Sequence, residues 1–383
     1  MSDKYYRNTV LDVNLAAVEK NYRAIQGINP EKTLIAVVKA NAYGLGAKEI
    51  SEHLAKAGVS FFAVATLDEA IDLRMHGIKQ KILVLGTISP EHINKAVQHR
   101  IAVTAPNLQW VQKAKDEVSD KYDKAVWIHI KVNTGMNRYG TSDVSEIMEM
   151  ITEINSFDRF IYEGIFSHFT SSDEDNDITS VEFNLFKEIV SQVERPENVH
   201  ISNSGGALTL KEEFTTAVRT GIALYGYYPS RYTASATPVM LTPSVKLSTE
   251  IAAVHHLEPE ESVSYGRKYT AETSETVATL PIGYADGLLR RHSGYNVKLE
   301  DGTECEIIGT ICMDALMIRV PEHTDAGQNV IIIEDSARSE QSMESYSDYT
   351  GTISYESLCA FGRRIPRRYA GKDIELIYNE VIN

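Results

Sequence analysis

The sequence predicts an α/β protein made of a (β/α)8 barrel of the TIM type, followed by a mostly β C-terminal domain. Between residue 33 and about residue 225, short apolar segments alternate with amphipathic helical patterns, as in a parallel barrel. From about residue 241 the helical periodicity fades, and short β-rich segments separated by turns take over. The 383 residues are enough for two domains of this kind.

The barrel prediction depends on the order of the segments. The candidate strands lie at 33–39, 60–65, 81–86, 101–104, 125–132, 160–167, 198–202 and 217–224. The helical patterns between them lie at 47–56, 67–75, 90–98, 108–118, 144–154, 181–193 and 206–213. An open doubly wound sheet is the alternative, because it is built from the same alternation of strand and helix.

The remaining segments are placed around the barrel. A strand at 8–13 precedes the first helix, at 15–25, and could pair elsewhere in the fold. Further strands are predicted at 245–255, 276–281, 305–311, 315–320 and 329–334, with Asp301-Gly302 as a turn signal between them. We therefore assign residues 12–240 to the barrel, and residues 241–383 with the N-terminal strand 1–11 to the β-rich domain.

Composition and charge disfavour several classes of protein. The net charge of −15 is the opposite of what a nucleic-acid or anionic-membrane partner would require. No apolar run reaches transmembrane length, and no early segment has the pattern of a secretory signal. Three cysteines without metal-ligand spacing argue against a disulfide framework or a zinc site. We expect a cytoplasmic protein.

Lys39 follows an apolar, β-branched run that is typical of a buried strand. Gly44 and Gly46 come shortly after it and let the backbone approach a bulky group. A lysine at the mouth of a barrel can form a Schiff base with a carbonyl cofactor. The alternative is an ordinary lysine whose charged end reaches solvent from a strand end.

Other polar residues follow the later strands, at the end of a barrel where active sites are built. They include Lys131 and Arg138 after the fifth strand and His168 after the sixth. Small residues at 204–206 begin a helical stretch, and Gly221-Ile222 lies in the adjacent connection, so both can offer backbone N–H groups to an anion. A strand-end lysine and a phosphate site together indicate pyridoxal phosphate.

Arg219 indicates the type of chemistry. An arginine only donates hydrogen bonds, so a pyridine nitrogen facing it stays unprotonated. Such a ring is a weaker electron sink, which suits removal and return of a proton without transamination. The alternative for Arg219 is a surface arginine or an ion-pair partner.

Several ordered motifs resemble the alanine racemase family, and the resemblance covers nearly the whole chain. Residues 36–46 (AVVKANAYGLG) look like the family's cofactor-attachment signature. The other motifs are Thr134-Gly135-Met136 with Arg138, 219–222 (RTGI), 224–226 (LYG), Ser264-Tyr265-Gly266, 281–287 (PIGYADG), Cys312-Met313-Asp314 and 353–356 (ISYE).

The resemblance implies a head-to-tail homodimer with shared active sites and a role for each matching residue. Lys39 would carry the cofactor and act as the base for D-alanine, and Tyr265 of the other subunit would act as the base for L-alanine. The phosphate-binding positions are Tyr43, Ser204, Gly221, Ile222 and Tyr355. Arg138 and Met313 match positions that receive the substrate carboxylate, and Lys131 matches a lysine that is often carbamylated. Tyr284 and Arg290, with Tyr265 and Tyr355, resemble residues that narrow the substrate entrance.

Two bases are chemically reasonable, because the proton must return to the face opposite the one it left. The free pKa values of lysine and tyrosine are about 10.4 and about 10, so burial and cationic neighbours must lower them. His168 and Arg219 are the candidate neighbours. Asn133 and Asn137 depart from the family, which often has an acid and usually a glycine there. Asn137 tolerates the left-handed conformation that a glycine would adopt.

The predicted function is racemisation of alanine for cell-wall peptide precursors. A serine or broad-specificity racemase on the same scaffold is the nearest alternative, and a related pyridoxal-phosphate decarboxylase fits the Tyr265 motif less well. A non-catalytic carrier of pyridoxal phosphate is the alternative from a different class, although the long β-rich region argues against it.

Overall fold

The computed structural model describes residues 6–119, 121–122, 124–370 and 375–382. The chain divides into two compact units. The barrel unit comprises residues 19–42 and 47–241, and the β-rich unit comprises the described residues among 1–18, 43–46 and 242–383.

The barrel unit contains an eight-stranded parallel sheet. Its strands are Thr33–Val37, Phe61–Val64, Lys81–Val84, Ala102–Ala105, Val126–Lys131, Phe160–Phe166, Asn198–His200 and Ala217–Thr220. Successive strands pair with each other, and the first also pairs with the last. The Arg219 N–H donates to Ser202 O at 3.2 Å, which links the last two strands. The near-closed barrel is confirmed, and the open doubly wound alternative is wrong.

Apolar packing explains why these short runs become strands. Ile35, Phe61, Ala63, Leu83 and Ala217 lie on neighbouring strands and form one buried cluster. Burying such side chains contributes about 1.5–3 kcal/mol each for the larger ones.

Most helices of the barrel region begin and end close to the predicted positions, whereas Arg231–Ala236 was not predicted. The helices are Leu15–Ile28, Ala47–Ala57, Leu67–Met75, Ile93–His99, Leu108–Glu117, Val144–Asn155, Ile178–Val190, Ser204–Thr209 and Arg231–Ala236. The helix predicted at 206–213 ends earlier, because the Glu212 carboxylate accepts the backbone N–H of Phe214 and of Thr215 and turns the chain. The helix predicted at 181–193 starts earlier, where Asn176 Oδ1 accepts the Ile178 N–H at 2.9 Å.

The β-rich unit contains a ten-stranded sheet. In spatial order its strands are Ala253–Leu257, Glu275–Leu280, Leu316–Val320, Glu304–Ile308, Asn296–Leu299, Asn329–Ile333, Val245–Glu250, Val10–Asn14, Arg367–Ala370 and Glu375–Tyr378. Ser262–Val263 pairs with Tyr269–Thr270 in a separate hairpin, and Met343–Tyr349 and Ser354–Ala360 are helices. The strand near the N-terminus therefore joins this sheet, pairing antiparallel with one neighbour and parallel with the other.

Among the residues that the structure describes, no helix combines the length and apolarity needed to cross a membrane. Of the three cysteines, Cys305 is buried, Cys312 is partly buried and Cys359 is exposed.

Candidate active site

Lys39 lies two residues beyond the first barrel strand and is followed by an unusual turn. Ala40, Asn41, Ala42 and Tyr43 have φ angles of 52°, 53°, 52° and 59°, the left-handed region. This conformation costs an L-residue about 1–2 kcal/mol. The Glu69 carboxylate accepts the Ala40 N–H at 2.6 Å and helps to hold the turn. The sequence suggested Gly44 and Gly46 as the adaptable residues here, and both have positive φ angles, 81° and 103°. The four non-glycine residues before Gly44 share this unusual backbone.

Arg219 lies inside the barrel with 2% of its surface exposed. Its Nη2 lies 2.8 Å from Ser167 O, 3.0 Å from Ile201 O and 3.0 Å from His168 Nδ1, so its two hydrogens are shared among three acceptors. Its Nη1 donates to His200 Nδ1 at 2.6 Å. Because a guanidinium has only donors, both imidazole nitrogens must be acceptors.

His168 is consequently neutral. Burial, followed by the positive charge of Arg219, holds the pKa of His168 well below its usual value. The prediction that His168 supplies positive charge is wrong, because its Nδ1 has to accept from a neighbouring cation. Of the two candidates, only Arg219 carries a charge at neutral pH: burial lowers the pKa of Arg219 to about 9.

The two segments that the sequence suggested for phosphate binding, 204–206 and 221–222, lie against each other. Asn203 caps the helix Ser204–Thr209 by accepting the Gly206 N–H. Ser204 Oγ accepts the N–H of Gly221 at 3.0 Å and of Ala223 at 3.4 Å. A hydroxyl that accepts two hydrogen bonds still has its own hydrogen to donate. Ile222, also predicted here, is fully buried in the same connection.

Positive charge is concentrated at this end of the barrel. Burial, then the charges of Arg219 and Arg138, hold the pKa of Lys131 well below its usual value. After burial, the pKa of His168 is lowered by Arg219, Lys131, Arg138 and Lys39, in that order. These four cationic side chains therefore lie near one histidine, in a chain whose net charge is −15.

The loop before Arg138 is closed by the two asparagines that depart from the family pattern. Asn133 Oδ1 accepts the N–H of Gly135 at 3.2 Å and of Asn137 at 3.0 Å. The Asn133 amide donates to Asn137 Oδ1 at 2.9 Å. Asn137 has φ 54°, so it adopts the left-handed conformation anticipated from its residue type. The two departures therefore contact each other and keep the loop closed.

Tyr265, in the β-rich unit, stands on a strained turn. Ser264, Gly266 and Arg267 have φ angles of 66°, 77° and 48°. Thr310 Oγ1 donates to Tyr265 O at 3.0 Å and fixes the turn. The Tyr265 side chain is 74% exposed in the single chain. The backbone thus presents this phenol outward.

Met313 and Tyr284 share a tightly packed corner of the β-rich unit. The N–H groups of Tyr284 and Ala285 donate to Cys312 O and Met313 O, both at 3.0 Å. A Cβ on Gly283 would come within 2.4 Å of Cys312 O, so only glycine fits there. The Met313 and Tyr284 side chains remain exposed, as does Arg290.

Tyr43 and Tyr355 also lie together in the β-rich unit. Their ring centroids are 6.0 Å apart. Gly44, the next residue, fits closely against Leu358 O, and its own carbonyl accepts from Arg367 Nε at 3.0 Å. Burial raises the pKa of Tyr43, so its hydroxyl keeps its proton.

The predicted residues are divided between the two units. The barrel unit holds Lys39, Lys131, Arg138, His168, Ser204, Arg219, Gly221 and Ile222. The β-rich unit holds Tyr43, Tyr265, Tyr284, Arg290, Met313 and Tyr355. Sequence reasoning missed His200, which contacts Arg219. The available signal was a titratable residue inside a predicted barrel strand, 198–202, next to a strand that carries Arg219.

Two models of protein-family domains match this chain. Residues 13–229 match the model of the alanine racemase N-terminal domain, and residues 244–369 match that of the C-terminal domain. Curated alanine racemases from Macrococcus caseolyticus and Staphylococcus epidermidis are 48% and 46% identical, each over 100% of both chains.

Solved structures give the same result for the fold. An alanine racemase from Bacillus anthracis with bound L-Ala-P has a TM-score of 0.92 and 32% identity, covering 98% of this chain and 99% of the other. A histidine racemase from Leuconostoc mesenteroides has a TM-score of 0.88 and 27% identity, covering 96% of this chain and 99% of the other. With both domain models matched in order and full-length relatives at almost half identity, the chain belongs to the alanine racemase family.

Proposed function

We propose that this protein interconverts L-alanine and D-alanine with pyridoxal phosphate as cofactor, and supplies D-alanine for peptidoglycan precursors in the cytoplasm. The relatives named as alanine racemases, which match along the full chain, support the reaction. The observation that carries the proposal is the placement of Lys39 among cations and phosphate-type donors at one end of the barrel. A β-rich domain at 241–383, with strand 1–11, completes the proposed organisation.

The residues present fit an anionic pyridine aldehyde. Lys39 supplies the amine that binds the aldehyde carbon. Ser204 Oγ retains a hydrogen that it would donate to the phosphate, and Gly221 and Ile222 lie in the connection next to it. Tyr43 and Tyr355 remain the phosphate-binding candidates of the β-rich unit. Arg219 offers only donors, which suits a ring nitrogen that carries a lone pair. His168 is neutral, so the positive charge at this end of the barrel comes mainly from Arg219 and Arg138.

When bound, the cofactor withdraws electrons from the substrate's α-carbon and makes loss of its proton easier. The protein then has to remove and return that proton on opposite faces. We assign one face to the Lys39 amine and the other to the phenol of Tyr265 from a second copy of the chain. Arg138, with Met313 of that copy, would hold the substrate carboxylate.

Exposure of the β-rich unit supports a homodimer. The side chains of Tyr265, Met313 and Ile353 are 74%, 52% and 57% exposed in the single chain. We take these exposed apolar and aromatic side chains as candidates for the interface with a second copy of the chain. Tyr284, which is 40% exposed, and Arg290 would lie at the substrate entrance and select small side chains.

Proton exchange tests the proposed function directly. In heavy water, the wild-type protein loaded with pyridoxal phosphate should replace the α-hydrogen of both alanine enantiomers and equalise their amounts, which NMR and chiral chromatography measure. Bound cofactor without any exchange would instead indicate the carrier. Exchange that clearly prefers serine, histidine or lysine would indicate another racemase; the 27% identical histidine racemase makes histidine a necessary competitor.

Lys131 is expected to be carbamylated. Burial lowers its pKa, so more of the amine is neutral than in an exposed lysine, and only the neutral amine attacks CO2. The new N–C bond releases one proton and leaves an anion that Arg138 can hold. Intact mass measured without acid should show one added CO2, more of it as pH rises, and none in Lys131→Gln. An unmodified lysine in wild type would contradict this.

Asn133 is expected to affect substrate binding more than turnover. Asn133→Ala removes the acceptor for two backbone N–H groups just before Arg138. A neutral hydrogen bond contributes about 0.5–1.5 kcal/mol, so the KM for alanine should rise about two- to tenfold with little change in kcat. Asn137→Gly, which keeps the left-handed backbone, should change KM much less. Equal effects of the two variants in steady-state kinetics would contradict the loop's role.

A further inference from the structure

A buried chain of hydrogen bonds runs through the barrel from Glu163 to Arg219. Glu163 Oε2 lies 3.0 Å from His129 Nε2, and His129 Nδ1 lies 3.1 Å from His200 Nε2. His200 Nδ1 lies 2.6 Å from Arg219 Nη1. These four side chains are between 0% and 4% exposed. We call Glu163, His129 and His200 the histidine chain.

The groups on either side of the two histidines, Arg219 and Glu163, determine where each proton of the histidine chain lies. Arg219 can only donate, so His200 accepts at Nδ1 and carries its hydrogen on Nε2. That hydrogen is donated to His129 Nδ1, so His129 carries its own hydrogen on Nε2. The ionised carboxylate of Glu163 can only accept, and it receives that hydrogen. Both imidazoles are therefore neutral and share the same tautomer.

Ionisation of Glu163 is favoured by its neighbours. Burial raises the pKa of Glu163, but the hydrogen bond from His129 and the nearby Lys81 more than offset this and leave it below its usual value. Lys81 Nζ lies 2.7 Å from Glu163 Oε1, and 43% of the Lys81 side chain is exposed. Glu163 and Lys81 line a surface pocket of about 580 Å³.

The backbone makes room for the chain. A Cβ on Gly164 would lie 2.2 Å from His129 Nδ1, so the imidazole occupies the space that any other residue would fill. The pairing between the fifth and sixth barrel strands also shifts its register between Ile128 and His129. The glycine at position 164 and the register shift beside it both make space for the His129 imidazole. We infer that the backbone fixes the position of this ring.

Arg219 requires such a device because it is a buried cation. Among the residues that the structure describes, no carboxylate forms an ion pair with it. A buried charge without compensation is strongly unfavourable. The histidine chain links it by hydrogen bonds to the ionised Glu163.

We propose that the histidine chain is a positioning device that gives Arg219 a remote counter-charge and fixes its orientation toward the cofactor's ring nitrogen. This inference rests on the proposed function, because it concerns how that cofactor is held. The chain does not conduct protons to the substrate, since Arg219 keeps its proton. Instead, every hydrogen bond is donated in the same direction, from Arg219 towards Glu163, and this fixes the orientation of the guanidinium.

The states of the rings test the proposal independently of activity. In the 15N-histidine-labelled holoenzyme, magic-angle-spinning NMR should show His129 and His200 each with one protonated nitrogen, Nε2. The signals are assigned with the His129→Asn and His200→Asn variants. A doubly protonated ring, or a hydrogen on Nδ1 of either ring, would overturn the proposal even if alanine is racemised normally.

Glu163→Gln supplies the functional test. Lys81 needs an acceptor, so the new amide should turn its oxygen toward Lys81 and its NH2 toward His129, which reverses the tautomers and sets two donors against each other at Arg219. A hydrogen bond to a charged group contributes about 1.5–3 kcal/mol, so kcat should fall about ten- to a hundredfold while the KM for alanine changes little. The visible spectrum of the bound cofactor should change as well.

Glu197→Gln is the matched control. Glu197 also pairs with Lys81, at 3.3 Å, but 72% of its side chain is exposed and it lies outside the chain. It should leave kcat, spectrum and ring states as in wild type. Wild-type kcat together with wild-type ring signals in Glu163→Gln would overturn the proposal. If Glu163→Gln fails to fold, the wild-type ring states still decide, and an inactive wild type would count against the proposed function only.

Discussion

Lys39→Ala is expected to abolish racemisation and to remove the absorbance band of covalently bound cofactor. The variant loses both the amine that attaches the aldehyde and the base on one face of the substrate. A general base alone contributes about 10²–10⁴-fold to a rate, so the loss should reach at least that range. Chiral analysis of alanine measures the rate, and the visible spectrum before and after borohydride reduction measures attachment.

Two controls make the Lys39 result specific. Lys56→Ala, which changes an exposed lysine on the following helix, should behave as wild type. A primary amine added to Lys39→Ala should restore a small part of the exchange, because it replaces the missing base. If Lys39→Ala still holds the cofactor covalently after borohydride reduction, another lysine, such as Lys131, carries the cofactor.

Tyr265→Phe is expected to separate exchange from racemisation. Without the phenol, the face served by Tyr265 has no base, so racemisation should fall by about 10²–10⁴-fold in both directions. Exchange of the α-hydrogen with heavy water should fall equally for L-alanine. It should persist for D-alanine, because Lys39 can remove and return the proton on its own face. NMR of each enantiomer measures the difference.

The Tyr265 result also has a clear contrary outcome. Equal survival of exchange for both enantiomers would show that one base serves both faces. Tyr349→Phe changes another exposed tyrosine of the β-rich unit, 45% exposed and without an assigned role, and should leave both rates unchanged. Mixing Tyr265→Phe with Lys39→Ala should restore part of the racemisation if active sites are shared, because one site of the mixed dimer then has both bases.

The barrel was predictable because its strands alternate with helical patterns and several of them are short runs of apolar residues, such as Phe61–Val64. The β-rich unit was harder. Asn296–Leu299 alternates polar and apolar residues over only four positions, and Met343–Tyr349 is a helix of seven residues rich in polar side chains. Such elements are stabilised by tertiary contacts more than by local pattern.

The candidate site shows the same division. Motif residues such as Lys39, Arg219 and Tyr265 could be found along the sequence. The neutral state of His168 could not, because it depends on a guanidinium that lies 51 positions away in the chain. The link between Asn133 and Asn137 was also hidden, although both residues had been noted singly. The contact between His168 and Arg219 depends on the register of the barrel strands, which no single segment of sequence contains.

Ala40 has a further chemical consequence. It is exposed, and its φ of 52° and ψ of 48° are those of a left-handed helix. An L-residue is disfavoured there by about 1–2 kcal/mol, whereas its mirror image adopts these angles without strain. A semisynthetic protein carrying D-alanine at position 40 should therefore resist unfolding better than the natural one. At position 40 the backbone therefore favours D-alanine, which this protein is proposed to make, over L-alanine.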